Sequence, residues 1–160
     1  MTASVPKTAP TAPASDVAAL LARYQNKSAV LGVIGLGYVG LPLSCAACTA
    51  GFKVVGFDVD ATKIEKLTRG ESYIGNIHND KVSSFVNEQK FSPTADYDRL
   101  AEVDAIIMCV PTPLNKNREP DMTYIERTAE AIAPRLKKGQ LVVLESTTYP
   151  GTTEDVVRPI

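Results

Sequence analysis

Gly35, Gly37 and Gly40 are the residues whose spacing most clearly serves a chemical purpose. They stand in Gly35-Leu36-Gly37-Tyr38-Val39-Gly40, a G-x-G-x-x-G pattern. The apolar run Val30-Leu31-Gly32-Val33-Ile34 leads into it, and an aliphatic, small-residue segment follows. That order predicts strand, tight turn, helix. The first glycine permits the turn, the second lets backbone approach a pyrophosphate, and the third lets the helix pack close to the strand. The backbone N–H groups at the helix start, those of Tyr38 and Val39 among them, would face the anion. Glycines at this spacing also occur in plain loops, so the context matters. A second apolar run, Val54-Val55-Gly56-Phe57, ends in Asp58, 18 residues after Gly40. A carboxylate that holds a ribose 2′-OH is expected about 20 residues on. The constellation predicts dinucleotide binding.

Asp58 also bears on the choice of dinucleotide. A carboxylate accepts hydrogen bonds from ribose hydroxyls and repels a 2′-phosphate, which favours NAD over NADP. Lys63 follows five residues later and could reach the adenosine side, which weakens that exclusion; its plainer reading is a solvated helix residue.

The three cysteines invite a redox or metal reading, and their surroundings argue against both. Cys45 and Cys48 form a C-x-x-C among Ala46, Ala47 and Ala50, on the helix after the glycines. A redox pair is expected at a helix start, where the thiol pKa falls. They read as small packing residues. Cys109 ends an apolar run and reads as core. His78 is the only histidine, too few partners for a zinc site.

The elements that must position these residues follow from periodicity and breakers. A capped amphipathic helix is expected over 16–25, with Ser15 as cap and Val17, Leu20, Leu21 and Tyr24 on one face. A strand over 29–34 and a helix over 38–50 follow, with Pro42 in the first helical turn. Next come a strand over 53–58 and a helix over 61–69 stopped by Gly70. A loop over 71–79 precedes a helix over 80–89. Phe91-Ser92-Pro93-Thr94 is at best a short edge strand, and a short helix runs through 96–101. Ala105-Ile106-Ile107-Met108-Cys109-Val110 reads as a strand buried on both faces. A helix over 122–138 should be interrupted by Pro134 and closed by Gly139. Leu141-Val142-Val143-Leu144 is the last strand, and a final helix starts at Thr152 or Thr153.

Strands alternating with helices predict a Rossmann-like, doubly wound parallel α/β sheet, part of the order 3-2-1-4-5-6 and ending before its last strand or strands. Residues 1–15, rich in Ala, Pro and Thr, read as a disordered tail, and 16–160 as one dinucleotide-binding domain. The turn at Gly35, Asp58, the Pro111–Pro113 segment and the Ser146–Gly151 loop all fall at carboxyl ends of strands, so they should line one crevice. A net charge of −1 gives no electrostatic case for nucleic acid or an anionic membrane. No run approaches the ~18 apolar residues of a membrane span. The N-terminus lacks a secretory apolar core, and a cytoplasmic location follows by default.

With those segments in view, residues 28–160 resemble the N-terminal NAD-binding domain of the UDP-glucose/GDP-mannose dehydrogenase family. The resemblance is carried by G-L-G-Y-V-G-L-P (35–42), G-F-D-V-D (56–60), C-V-P-T-P-L (109–114) and E-S-T-T-Y-P-G-T-T-E (145–154). Asn117-Arg118-Glu119-Pro120-Asp121, with the last of these, looks most like the branch that oxidises UDP-N-acetylglucosamine or related UDP-N-acetylhexosamines. The resemblance implies oxidation of a sugar C6 alcohol to a uronate with two NAD⁺, in polysaccharide precursor synthesis. It implies a cysteine that captures the aldehyde as a thiohemiacetal on the way to a thioester. By position, Gly35, Gly37 and Gly40 match the pyrophosphate glycines, Tyr38 and Val39 supply amides, and Asp58 and Lys63 match the adenosine-ribose pair. Val110, Pro111 and Thr112 match the wall beside the nicotinamide. Thr147 matches a threonine that supports catalysis there, although a loop threonine bonded to backbone is its plainer reading. Glu145 is expected at a buried strand terminus, without a catalytic role. The family's nucleophile lies in a G-x-C-x-P-K-D segment that this chain lacks, so the chain is expected to be part of a longer enzyme, a homodimer when whole, and inactive alone. The alternatives are a stand-alone dinucleotide-binding module and a β-hydroxyacid dehydrogenase fragment, the latter lacking P-T-P and S-T-T-Y-P-G.

Overall fold

The computed structural model describes residues 14–114, 116 and 118–160, and the side chains from Val17 onward. Most of the tail expected over 1–15, and Asn117 of the segment that carries the branch resemblance, lie outside them. Helix α1 spans Ala14–Gln25 and begins one residue before Ser15, the serine expected to cap it. Strands β1 (Val30–Ile34), β2 (Lys53–Phe57), β3 (Phe91–Thr94), β4 (Ala105–Met108) and β5 (Leu141–Leu144) form one sheet. Its order is β3-β2-β1-β4-β5, and every pair is parallel. This is the expected doubly wound α/β arrangement.

The period-2 alternation of a strand divides the core in two. Leu31, Val33, Val54 and Ala105 point to one face, where they meet Leu41, Cys45 and Cys48 of α2 (Gly40–Thr49), Leu67 of α3 (Ala61–Thr68) and Val82 of α4 (Asn79–Asn87). Ile34, Val55, Phe57, Ile106 and Met108 point to the other. There they meet Leu100 in a three-ten turn over Tyr97–Glu102 and Ile125, Ala129 and Ile132 of α5 (Thr123–Ile132). Neither face of β1 is left to solvent, which accounts for its nearly unbroken apolar sequence.

Three boundaries differ from expectation. β4 stops at Met108, because Pro111 has no N–H to offer a ladder and the chain turns toward the next loop. Pro134 interrupts helix α5 as expected, but the helix stops for good at Ile132 and the chain passes into a three-ten turn over Ala133–Arg135. Gly139 therefore does not close α5: with φ +90° it sits in the Lys137–Gln140 turn before β5. The final helix is a single π-type turn, Thr153–Val157. Phe91–Thr94 does form the edge strand, with Pro93 opposite Gly56, a place where a missing N–H is tolerated.

α1 is tied across the bottom of the sheet. The Arg23 guanidinium forms a two-pronged ion pair with Asp104, whose Oδ2 also accepts from Val30 N at 2.8 Å. Leu20 and Tyr24 are half-buried, while Val17 and Leu21, expected on the same face, are exposed.

Candidate functional site

The three glycines of the turn are required for three different reasons. Gly35 has φ +91°, and a Cβ there would lie 2.7 Å from Cys109 O. Gly40 is a close approach: its Cβ would lie 1.8 Å from Gly35 O, an impossible contact. Gly37 faces open space, with nothing within 4 Å of where a Cβ would stand. Tyr38 and Val39 project their side chains to solvent, at 85% and 56% exposure, leaving only backbone at the turn. The first rung of α2 runs from Leu41 N to Gly37 O at 3.1 Å. Amides that precede that rung have no partner within the helix. Val39, at the cap position, supplies no side-chain acceptor for them.

Asp58 lies just past β2 and is 6% exposed. Its Oδ2 accepts from Leu36 N at 2.9 Å and from Lys63 Nζ at 3.1 Å, and its Oδ1 accepts from Asp60 N at 3.0 Å. Asp60 in turn caps α3, accepting from Thr62 N at 2.9 Å and Lys63 N at 3.4 Å. The cap fixes the first turn of α3, and that turn brings Lys63 to Asp58. The glycine turn, Asp58 and Lys63 are thus one hydrogen-bonded unit.

Val110, Pro111, Thr112 and Thr147 form a second unit at the ends of β4 and β5. Ser146 Oγ donates to Val110 O at 2.7 Å, and Thr112 Oγ1 donates to Thr147 O at 2.8 Å. Each loop thus gives one hydroxyl to the other's backbone. Val110 and Thr112 are half-buried, Pro111 and Thr147 exposed. The buried Thr152 closes the Ser146–Gly151 loop by donating from Oγ1 to Tyr149 O at 2.8 Å. Glu145 is exposed, contrary to the buried terminus expected, because β5 is the outer strand and its side chain leaves the sheet edge. The two units meet where Gly35 backs onto Cys109 and Val110.

Residues 29–160 match the model of the UDP-glucose/GDP-mannose dehydrogenase family, NAD binding domain. The chain belongs to that family. It is 41% identical over 128 residues to a UDP-N-acetyl-D-mannosamine dehydrogenase of Yersinia pestis, covering 80% of this chain and 30% of that protein. Among solved structures, the UDP-D-ManNAc dehydrogenase of Pyrococcus horikoshii superimposes with a TM-score of 0.75 at 34% identity, over 81% of this chain and 31% of that one. The GDP-mannose dehydrogenase of Pseudomonas aeruginosa does so with a TM-score of 0.77 at 31% identity, over 81% and 31%. The chain spans about a third of the length of the relatives it matches.

A dehydrogenase NAD-binding domain needs an anion cradle and a ribose acceptor, and the residues here fit both. Gly37 leaves room for phosphate oxygens, Gly40 allows the close helix, and Asp58 presents a buried carboxylate at a strand end. The cysteines fit the other role expected of them. Cys45 and Cys48 are buried in the core face of α2. Burial pushes the Cys45 thiol up, and burial with its neighbour Cys45 pushes Cys48 up to about 12. Cys109 lies one residue beyond β4 and is half-buried; burial and then the Glu145 charge push it up to about 11. All three are thiols, not thiolates, at neutral pH. Among the described residues no cluster of His, Cys, Asp and Glu could hold a metal ion, and no helix is long and apolar enough to cross a membrane.

Two residues of this dehydrogenase domain escaped the sequence reading. Ser146 stood inside a recognised segment, but nothing in its position told which backbone its hydroxyl would meet. Tyr73 fell in a stretch read as plain loop, and its hydroxyl donates to Leu36 O at 2.6 Å.

Proposed function

We propose that this chain is the NAD-binding part of a nucleotide-sugar 6-dehydrogenase acting on a UDP-N-acetylhexosamine. The observation that carries the reading is the buried Asp58 carboxylate bonded to the Leu36 amide of an open glycine turn, in a chain of this family. On this reading the amides of Gly37, Tyr38, Val39 and Gly40 hold the pyrophosphate, and Asp58 with Lys63 holds the adenosine ribose. Asp58 is the group that disfavours a 2′-phosphate. Val110, Pro111 and Thr112 wall the nicotinamide, and Thr147 stands beside the reacting carbon. The bound nicotinamide supplies a hydride acceptor. The chain's own task is to hold it still, because misplacement at the reacting atoms is costly.

The UDP-sugar is the proposed partner, and a homodimer the proposed assembly of the whole enzyme. The N-acetylhexosamine class is supported by relatives named for UDP-N-acetyl-D-mannosamine and by the sequence Asn117-Arg118-Glu119-Pro120-Asp121 followed by E-S-T-T-Y-P-G, which resembles the branch for UDP-N-acetylglucosamine or related UDP-N-acetylhexosamines. The test is product analysis by mass spectrometry. UDP-N-acetylglucosamine, UDP-N-acetylmannosamine and UDP-N-acetylgalactosamine are each incubated with NAD⁺ and the complete polypeptide that carries this domain. One of them should gain a carboxylate at C6 with NADH formed; no uronate from any would overturn the reading. The 160-residue chain alone should form no NADH above background, since hydride transfer needs the sugar C6 held close to the nicotinamide and the G-x-C-x-P-K-D segment that captures the aldehyde is not in it.

A further inference from the structure

We propose that Tyr73 is a positioning residue for the cofactor's pyrophosphate, acting through the peptide that joins Leu36 to Gly37; this rests on the NAD-binding reading of the crevice. Tyr73 lies between α3 and α4, outside the sheet, and is 37 residues from the turn it touches. Its hydroxyl donates to Leu36 O at 2.6 Å, while the Leu36 N–H donates to Asp58 Oδ2 at 2.9 Å. Both peptide groups flanking the buried Leu36 are therefore held, one by the ribose carboxylate and one by the tyrosine.

The second tether matters because of what shares its plane. The Leu36 carbonyl and the Gly37 N–H belong to one trans peptide, so they point in opposite directions. Fixing the carbonyl on Tyr73 fixes the Gly37 N–H away from it. Glycine at 37 would otherwise permit that plane to rotate, since it lacks the Cβ that restricts φ. No side chain braces it from the Cβ side, where Gly37 has no neighbour within 4 Å. The phenol is suited to a permanent donor's role. Burial raises its pKa, and the charges of Asp58 and Asp60 raise it further, so the proton stays on the oxygen at any working pH.

A role confined to loop anchoring and a role in phosphate binding separate by ligand. Tyr73→Phe keeps the ring and removes the hydroxyl. Calorimetry or NMR titration would measure ADP-ribose, which carries the pyrophosphate, and adenosine, which does not. The expected result is a loss of about fivefold to tenfold for ADP-ribose, the worth of one hydrogen bond, with adenosine unchanged. Equal losses for both ligands, or none for either, would overturn the proposal. Absence of ADP-ribose binding by the unaltered chain would sink the cofactor reading and this inference with it. If ADP-ribose binds the unaltered chain but Tyr73→Phe leaves its affinity intact, only this inference fails. Should the variant not fold, ¹⁵N relaxation of Gly37 in the unaltered chain decides: a rigid amide agrees with the tether, and millisecond exchange at Gly37 contradicts it.

Discussion

On the β2 side of β1, what stands past the strand ends is a carboxylate sunk to 6% exposure among three hydrogen-bond donors. On the β4 side, it is a pair of loops joined by two hydroxyl-to-carbonyl bonds, with Pro111 and Thr147 exposed. The strands beneath differ in the same way. β2 lies between β1 and β3 and is buried along Val54–Phe57. β5 is the outer strand, no residue of it is fully buried, and Leu141 is 49% exposed. Beside it, Ile132, Leu136, Val142, Leu144 and Val157 line an open concavity of about 480 Å³. The Asp58 side, proposed to take the adenosine half, is preorganised by a buried network, whereas the side proposed for the nicotinamide depends on the contact of one loop with another. A cofactor-binding domain built so should hold the adenosine end of a dinucleotide firmly and its reactive end loosely.

The substitution that should break both halves at once is Gly40→Ala. Its Cβ would collide with Gly35 O, and Gly35 in turn backs onto Cys109 and Val110, so the shift spreads from the turn to the β4 loop. A loss of about 3 kcal/mol or more is expected, beyond ordinary overpacking because the obstacle is backbone. Thermal or urea unfolding would show it, and a melt close to that of the unaltered chain would mean the turn yields more readily than its geometry allows.

Ser146→Ala and Thr112→Val remove the two latches separately. Each should cost about 1 kcal/mol of stability. Neither should change the affinity for adenosine, whose proposed contacts, Asp58 and Lys63, lie on the other side of β1. Denaturant unfolding with a parallel adenosine titration checks this, and a loss of adenosine affinity would show that the halves are coupled.

The smallest effect is expected at Cys45 and Cys48. Cys45→Ala with Cys48→Ala should lower the melting temperature modestly and leave NAD⁺ binding unchanged. In the unaltered chain both thiols should resist alkylation at neutral pH. The sign of the alkaline limit follows from Cys48, whose proton is held to about 12 in the fold against an ordinary 9.0. Its contribution to stability is complete below 9.0 and is lost as pH rises toward 12. Rapid labelling of either thiol in the folded protein at neutral pH would contradict the packing role.

Strands β1, β2 and β4 were legible because each carries its own signal, an apolar run of strand length closed by Gly35, Asp58 or Pro111, and β5 because it is an apolar run between Gly139 and a polar loop. Asp58 was legible because its distance from Gly40 is fixed by one helix and one strand. What escaped depends on meetings between distant segments. Tyr73 reaches Leu36 across 37 residues, and Ser146 reaches Val110 across 36. No local periodicity encodes which carbonyl a hydroxyl will find. The end of α5 was misplaced for a different reason. Pro134 interrupts the helix as expected, but the chain does not return to it, so Gly139, which has the conformation of a helix cap, closes a turn instead.

Whether the buried Asp58 makes this an NAD site is decided by calorimetry of NAD⁺ and NADP⁺ with the unaltered chain and with Asp58→Ala, both checked for folding by melting. The unaltered chain should bind NAD⁺ in preference to NADP⁺, and Asp58→Ala should weaken NAD⁺ by about 1.5–3 kcal/mol, roughly tenfold to a hundredfold. Equal NAD⁺ affinity in the two folded proteins, or a preference for NADP⁺ in the unaltered one, would contradict the assignment.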